Sequence, residues 1–185
     1  MPPYYAELGH AMPSGLSEEL ERKVKTCVKN TLVALCVNHG SVNMDILVNE
    51  KGDVHIVDIG ARMGGNLIGS HIIPIGTGID YMGNMIRAAV GDKTDWNPVK
   101  APAPVATKLL ALTPGTVVGL PDFDKIAKEN SVVIEHHLNV GDKINKYHTN
   151  LDGCGYVVAT CSDVVESIAK ATAVRSIIDN SIERI

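Results

Sequence analysis

The feature that most constrains this chain is a pair of β-branched, apolar runs, residues 41–48 and 53–59, on either side of the polar segment Asn49-Glu50-Lys51-Gly52-Asp53. A glycine inside that segment can take the positive φ of a tight reversal, so the two runs are predicted to pair as an antiparallel hairpin. Before them, Leu20, Val24, Cys27, Val28, Thr31 and Leu35 recur at spacings of three and four. That periodicity predicts an amphipathic helix over 17–35, with Ser17 as its N-cap and Glu18 and Glu19 in its first turn.

After the hairpin, glycines and prolines punctuate residues 60–78, and Asp80 is placed to cap a helix that runs to Val90 and stops at Gly91-Asp92. Three prolines in residues 96–104 exclude regular structure and mark a lobe boundary. Beyond it, 105–112, 132–138 and 155–159 read as strands, 123–129 as a short helix and 163–179 as a closing helix. Helices and hairpin strands mix without regular βαβ spacing, which points to an α+β architecture rather than a doubly wound parallel sheet. The expected division is 1–97 and 98–185.

Composition excludes several functions. The chain has 185 residues, 45% apolar and 21% charged, and can bury a real core. Its formal charge is −4, with no lysine or arginine cluster to track phosphates, so nucleic acid is not an expected partner. No apolar run reaches membrane-spanning length, and the start, Met1-Pro2-Pro3-Tyr4-Tyr5, lacks a basic region followed by an apolar one. A cytoplasmic protein is expected. Cys27, Cys36, Cys154 and Cys161 form no C-x-x-C pair and are expected to be reduced, partly buried thiols.

The chemistry gathers at the hairpin. Asp45 lies on its first strand and Asp58 near the end of its second, so antiparallel pairing can bring the two carboxylates to one face. Such a pair suits Mg²⁺, which takes one or two carboxylates together with water and substrate phosphates. Aspartates near turns are mostly solvated, and the pair alone would be weak. Arg62, four residues after Asp58, adds the side chain best shaped for carboxylate or phosphate, and Gly64-Gly65 lets backbone amides approach an anion.

Taken together, VNMDILVNEKGDVHIVDIGARMGGN resembles the metal-binding hairpin of ATP-grasp enzymes, in which an acidic residue precedes an acid-x-Asn-x-Arg motif by some 13 residues. Asp45 and Asp58 fill the acidic positions. The resemblance extends upstream to Glu7-Leu8-Gly9-His10 and downstream to Gly76-x-Gly78-x-Asp80. Within the superfamily the chain is most similar to the L-amino acid ligase-like branch, where a Glu-x-x-His pair, here Glu7 and His10, precedes the acidic hairpin. Gly115-Thr116-Val117-Val118, Val140-Gly141-Asp142-Lys143 and the segment from Gly153 to Ala159 are similar to that branch's final domain.

The resemblance implies a C-terminal ATP-grasp subdomain, an antiparallel sheet flanked by helices, followed by a small α/β lobe. It implies an ATP- and Mg²⁺-dependent carboxylate–amine ligase, with Mn²⁺ as an alternative ion, acting through an acylphosphate. Asp45 and Asp58 would hold the metal and Arg62 the phosphate and developing oxyanion, Gly65 would offer a backbone contact, and Glu7 and His10 would face the carboxylate and amine substrates. Two departures stand out. The motif's asparagine is Gly60 here, and both acids are aspartate where glutamate is commoner.

The nucleotide-gripping half of the fold is not represented in the resemblance, so this chain alone is expected to be a poor enzyme, to need that half as a partner, and to self-associate through apolar surface. The alternatives are a non-catalytic ATP-grasp-like binding or assembly module, and another branch of the phosphoribosylglycinamide, biotin-carboxylase or carbamoyl-phosphate type. Glu135-His136-His137 invites a metal reading, but strand neighbours point to opposite faces, so a structural role is expected there, as for His39, His55, His71 and His148. Met12, Met63, Met82 and Met85 are expected in core or cleft packing.

Overall fold

The structure is a computed structural model that describes residues 6–185; the Met1-Pro2-Pro3-Tyr4-Tyr5 start, with the leader expectation that rested on it, lies outside the described residues. In chain order the elements are β1 (Ala11–Met12), α1 (Glu18–Ala34), β2 (Asn43–Val48), β3 (Val54–Gly60), a π-helical turn (Ile68–Ile72) continuing into α2 (Ile73–Thr77), and α3 (Tyr81–Val90). Then follow β4 (Val105–Leu109), β5 (Gly115–Gly119), α4 (Phe123–Asn130), β6 (Val133–His136), β7 (Lys143–Ile144), a 3-10 turn (Asn150–Asp152), β8 (Gly155–Thr160), α5 (Val164–Ser181) and β9 (Glu183–Arg184).

Helices and antiparallel sheets are mixed, as an α+β chain requires. Four strands make one sheet in the order β1-β4-β8-β6, three make a second in the order β7-β5-β9, and β2 and β3 stand as the hairpin. The main core lies between the four-stranded sheet and α5. Alternation along β8 builds it: Val157 and Ala159 point into the cluster with Leu110, Val174 and Ile178, while Val158 points to the other face with Ile72 and Val105. Each fully buried Leu, Ile or Val there contributes about 1.5–3 kcal/mol.

The local capping signals act as expected. Ser17 accepts a hydrogen bond from the Leu20 N–H at 3.3 Å and Asp80 from Gly83 at 3.0 Å; Asp163, predicted only as the start of the closing helix, caps it by accepting from Glu166 at 2.8 Å. Asn84, wholly buried in α3, is satisfied by the backbone of Asp95, donating to its carbonyl at 2.5 Å and accepting from its N–H at 2.9 Å. That ties α3 to the proline-rich connection, in which no strand or helix forms.

Residues 60–78 depart from the sequence expectation. Their glycines and prolines predict irregular backbone, yet 68–77 is helical because Ile72 buries against Val105 and Val158 and Ile75 packs beside it. Pro74 falls in the first turn of α2, where its fixed φ suits the helix. The strand predicted over 105–112 ends at Leu109, although Leu110 and Leu112 remain buried. The four cysteines are free thiols, with Cys154 buried and Cys36 exposed; burial pushes the Cys154 thiol above its ordinary pKa, as do the charges of Asp142, Asp152 and Asp179.

Candidate functional site

The hairpin ladder sets Val48 against Val54, Leu47 against His55 and Ile46 against Ile56. Continued regularly, it would set Asp45 against Val57 and turn Asp58 to the opposite face. A bulge in β3 absorbs Val57 instead, and Asp45 and Asp58 become direct partners. Exposure follows the register: Asp45, Leu47, His55, Val57 and Asp58 all face outward, with Leu47 64% and Val57 62% exposed. Carboxylates and apolar side chains thus share one open face.

That face fits a divalent cation. Neither aspartate has an ion-pair partner among the described residues, and the polar contact to the pair is Asn43 Nδ2, 3.5 Å from Asp45 Oδ1. Paired acids across a hairpin offer the hard oxygen donors that such an ion takes, together with water and phosphate. No cluster of three or more His, Cys, Asp or Glu suited to a metal exists among the described residues, so the protein would offer the ion two carboxylates here.

Glu7 and His10 reach the same region from the other side. Residues 8–12 run along β4: Thr107 N–H donates to the His10 carbonyl at 2.8 Å, Leu109 N–H to the Leu8 carbonyl at 2.9 Å, and Ala11 pairs with Ala106. Gly9, with φ +155°, permits the approach, because a Cβ there would lie 2.1 Å from the Thr107 carbonyl oxygen. His10 Nε2 is buried without a hydrogen bond and stands 3.6 Å from Glu7 Oε2. The Glu7 carboxylate is thus the polar group nearest to this buried ring nitrogen.

Glu7 is the hub of a network that sequence reasoning did not find. Its Oε2 accepts from Asn66 at 2.8 Å and from Asn150 at 3.1 Å, and its carbonyl accepts from the Tyr147 hydroxyl. Tyr156 in turn donates to Asn66 Oδ1 at 2.6 Å. Asn66 and Leu67 hold left-handed φ values of 51° and 62°, an uncommon conformation, most costly for Leu67, that aims the Asn66 amide at Glu7. Burial first, and then the charges of Tyr156, Glu7 and Asp152, raise the Tyr147 pKa above the ordinary tyrosine value. Burial and Glu7 do the same to Tyr156, so both hydroxyls stay protonated donors.

Glu7, His10, Asp45, Arg62 and Gly65 line one cavity of about 480 Å³, together with Asn43, Asn66 and Asn150. Asp58 is not in its wall, although it is the cross-strand partner of Asp45. The Arg62 guanidinium donates to the Met63 carbonyl at 2.9 Å and forms no ion pair among the described residues, so it is available to an anion. Gly65 has open space on its side-chain face, with no atom within 4 Å of an added Cβ. Away from this cavity, the His136 ring stacks on Phe123 with centroids 3.8 Å apart. Met12 packs under Gly76 and Met63 under Gly69, while Met82 is exposed.

The bulged acidic hairpin, the helical 68–77 segment packed on β4 and β8, and the four-stranded sheet with its covering helix make up the fold of the C-terminal half of ATP-grasp carboxylate–amine ligases. Among solved structures, the L-amino acid ligase from Bacillus licheniformis superposes with a TM-score of 0.79 at 19% identity, over 99% of this chain and 47% of that one. Phosphoribosylglycinamide synthetase from Anaerococcus prevotii superposes with a TM-score of 0.78 at 22% identity, over 97% and 45%. The biotin carboxylase domain of the Hydrogenobacter thermophilus 2-oxoglutarate carboxylase, solved with MgADP and bicarbonate, gives 0.65 at 15% identity, over 97% and 39%. The chain therefore spans less than half the length of these structures. No protein-family profile and no curated protein matches it. No helix among the described residues is long and apolar enough to cross a membrane.

Proposed function

We propose that this chain provides the metal, phosphate and substrate side of an ATP-dependent ligase that joins a carboxylate to an amine. A substrate carboxylate oxygen attacks the γ-phosphorus of ATP, ADP leaves, and the acylphosphate forms. The amine nitrogen then attacks the acyl carbon, phosphate departs, and the nitrogen loses a proton to leave an amide. Catalysis of this kind is mainly positioning and charge neutralisation. Asp45 and Asp58 hold Mg²⁺, or Mn²⁺, which neutralises the phosphates when bound. Arg62 steadies the transferring phosphoryl group and the developing oxyanion, and Gly65 gives a backbone contact. Glu7 and His10 face the carboxylate and amine substrates.

The observation that supports this reading best is the convergence of Glu7, His10, Asp45, Arg62 and Gly65 on one cavity within an ATP-grasp fold. Residues 1–97 form the ATP-grasp part and 98–185 the C-terminal lobe. The nucleotide grip belongs to the other half of the fold, and exposed Leu47 and Val57, beside the carboxylates, are surface for that half or for a second copy of the chain to cover. The Glu7–His10 pair favours the L-amino acid ligase-like branch over the phosphoribosylglycinamide, biotin-carboxylase and carbamoyl-phosphate types. Gly60, standing in the asparagine position, favours a second reading, a non-catalytic binding module.

Joining the chain to the amino-terminal half of an ATP-grasp ligase separates the two readings. ADP release that requires both a carboxylate and an amine, and that Asp58→Ala abolishes, is the expected outcome. Tight Mg-nucleotide binding with no turnover would support the module instead, and turnover undisturbed by Asp58→Ala would overturn the site.

A further inference from the structure

Gly60 removes a side-chain oxygen from the acidic face of the hairpin, and the register shows what stands opposite it. Asn43 is the direct cross-strand partner of Gly60, as Asp45 is of Asp58. Asn43 and Asp45 are two residues apart on β2, so their side chains project from the same face. The positions Asn43, Asp45, Asp58 and Gly60 thus form a square in which the amide has moved from one strand to its neighbour.

The surroundings of the two glycines match that exchange. A Cβ on Gly60 would sit 3.5 Å from Arg62 Cγ and 3.7 Å from Arg62 Nε, ordinary van der Waals contact, so the arginine stem packs beside the bare glycine. A Cβ on Gly64 would lie 2.9 Å from Asn43 Oδ1, so the absence of a side chain at Gly64 leaves the Asn43 amide its place. Asn43 lines the same cavity as Asp45, Arg62, Glu7 and His10.

We propose that Asn43 is the third protein ligand of the hairpin metal, supplying from β2 the amide oxygen that Gly60 does not supply from β3; this rests on the ATP-grasp reading of the carboxylate pair. Asn43 Nδ2 stands 3.5 Å from Asp45 Oδ1. A half-turn of the amide exchanges Nδ2 for Oδ1 at nearly the same point, since the two atoms are close to isosteric. At 3.5 Å the amide is close enough to Asp45 for one ion to be shared after a small side-chain shift. The amide is neutral, so it adds an oxygen to the ion without adding to the repulsion between the carboxylates.

Mn²⁺ binding to the chain, followed by electron paramagnetic resonance, tests this without any turnover, with circular-dichroism melting as the check on folding. Asp58→Ala is expected to abolish binding, and Asn43→Ala to weaken it about tenfold or more, a loss in the range known for disrupted metal surroundings. The double variant Asn43→Ala with Gly60→Asn is expected to recover most of the affinity, because the site at Gly60 accepts a Cβ without backbone collision. Unchanged Mn²⁺ affinity in Asn43→Ala, alongside loss in Asp58→Ala, would overturn the role of Asn43 and leave the carboxylate site intact. Wild-type binding in Asp58→Ala would overturn both. If Asn43→Ala does not fold, Asn43→Asp, which keeps the size and adds a charge, is expected to bind Mn²⁺ more tightly; equal or weaker binding refutes the assignment.

Discussion

Gly64 and Gly65 are adjacent in sequence and opposite in what a methyl group would meet, which makes them a controlled pair. A Cβ at Gly64 lies 2.9 Å from Asn43 Oδ1 and 3.2 Å from both Cβ and Cγ2 of Ile68. The amide can swing aside, but Ile68 is β-branched and held in the π-helical turn, so overpacking of about 1–3 kcal/mol is expected for Gly64→Ala. A Cβ at Gly65 meets no atom within 4 Å, and the residue is not in the left-handed region. Gly65→Ala should then change stability by no more than about 0.5 kcal/mol. Its cost should appear only when an anion rests on the Gly65 amide, where a methyl group interferes. A loss of 1.4 kcal/mol there is about tenfold in nucleotide affinity or turnover. Urea unfolding of both variants gives the first comparison, and ADP release by the chain joined to a nucleotide-gripping half gives the second. Equal destabilisation by the two substitutions would refute the steric argument. A stable Gly65→Ala with full turnover would refute the contact.

Two further outcomes follow from the Glu7 network. Asn66→Ala removes the 2.8 Å bond to Glu7 and the 2.6 Å bond from Tyr156, and since Glu7 is half-exposed the expected loss is about 2 kcal/mol in urea unfolding, with a weaker substrate affinity. A loss of substrate affinity with no loss of stability would show that Asn66 contacts ligand rather than Glu7. Asp152 closes the turn that carries Asn150, and the backbone N–H groups of Thr149 and His148 hold its pKa below the ordinary carboxylate value. A depressed folded pKa stabilises above the unfolded value and is lost as pH falls through the folded one. The melting-temperature gap between wild type and Asp152→Asn should therefore be full at neutral pH and close on acidification below about pH 4; a gap that widens in acid would reverse the argument.

How much of this was legible in the sequence turns on what each feature depends on. The hairpin, its turn and the capped helices were readable because neighbours in sequence decide them: Gly52 takes φ +78°, and Ser17, Asp80 and Asp163 cap within three residues of themselves. The pairing of Asp45 with Asp58 was readable only in part. They are thirteen residues apart, one too many for the ladder that this turn begins, and the reading holds because β3 bulges at Val57. Nothing in the turn's composition announces a bulge; it follows from the need to keep Ile46, Ile56 and Ile59 on the inner face while both aspartates stay outside.

The Glu7 network was not legible because the direct partners of Glu7 are 59 to 143 residues from it along the chain and are brought together by β1 lying beside β4 and by the strained turn at Asn66. Asparagines and tyrosines carry no spacing signature for such a role. The helical stretch at 68–77 was hidden for the opposite reason: its local signals, Gly69, Pro74 and Gly76, argue against a helix, and burial of Ile72 against β4 and β8 outweighs them. The same segment starts where Asn66 and Leu67 are strained, so the apolar contact that overrides local propensity is also what holds the Asn66 amide on Glu7. In this chain the Glu7–His10 side of the cavity is built by long-range packing, while the paired aspartates are set by a hairpin whose register one extra residue decides.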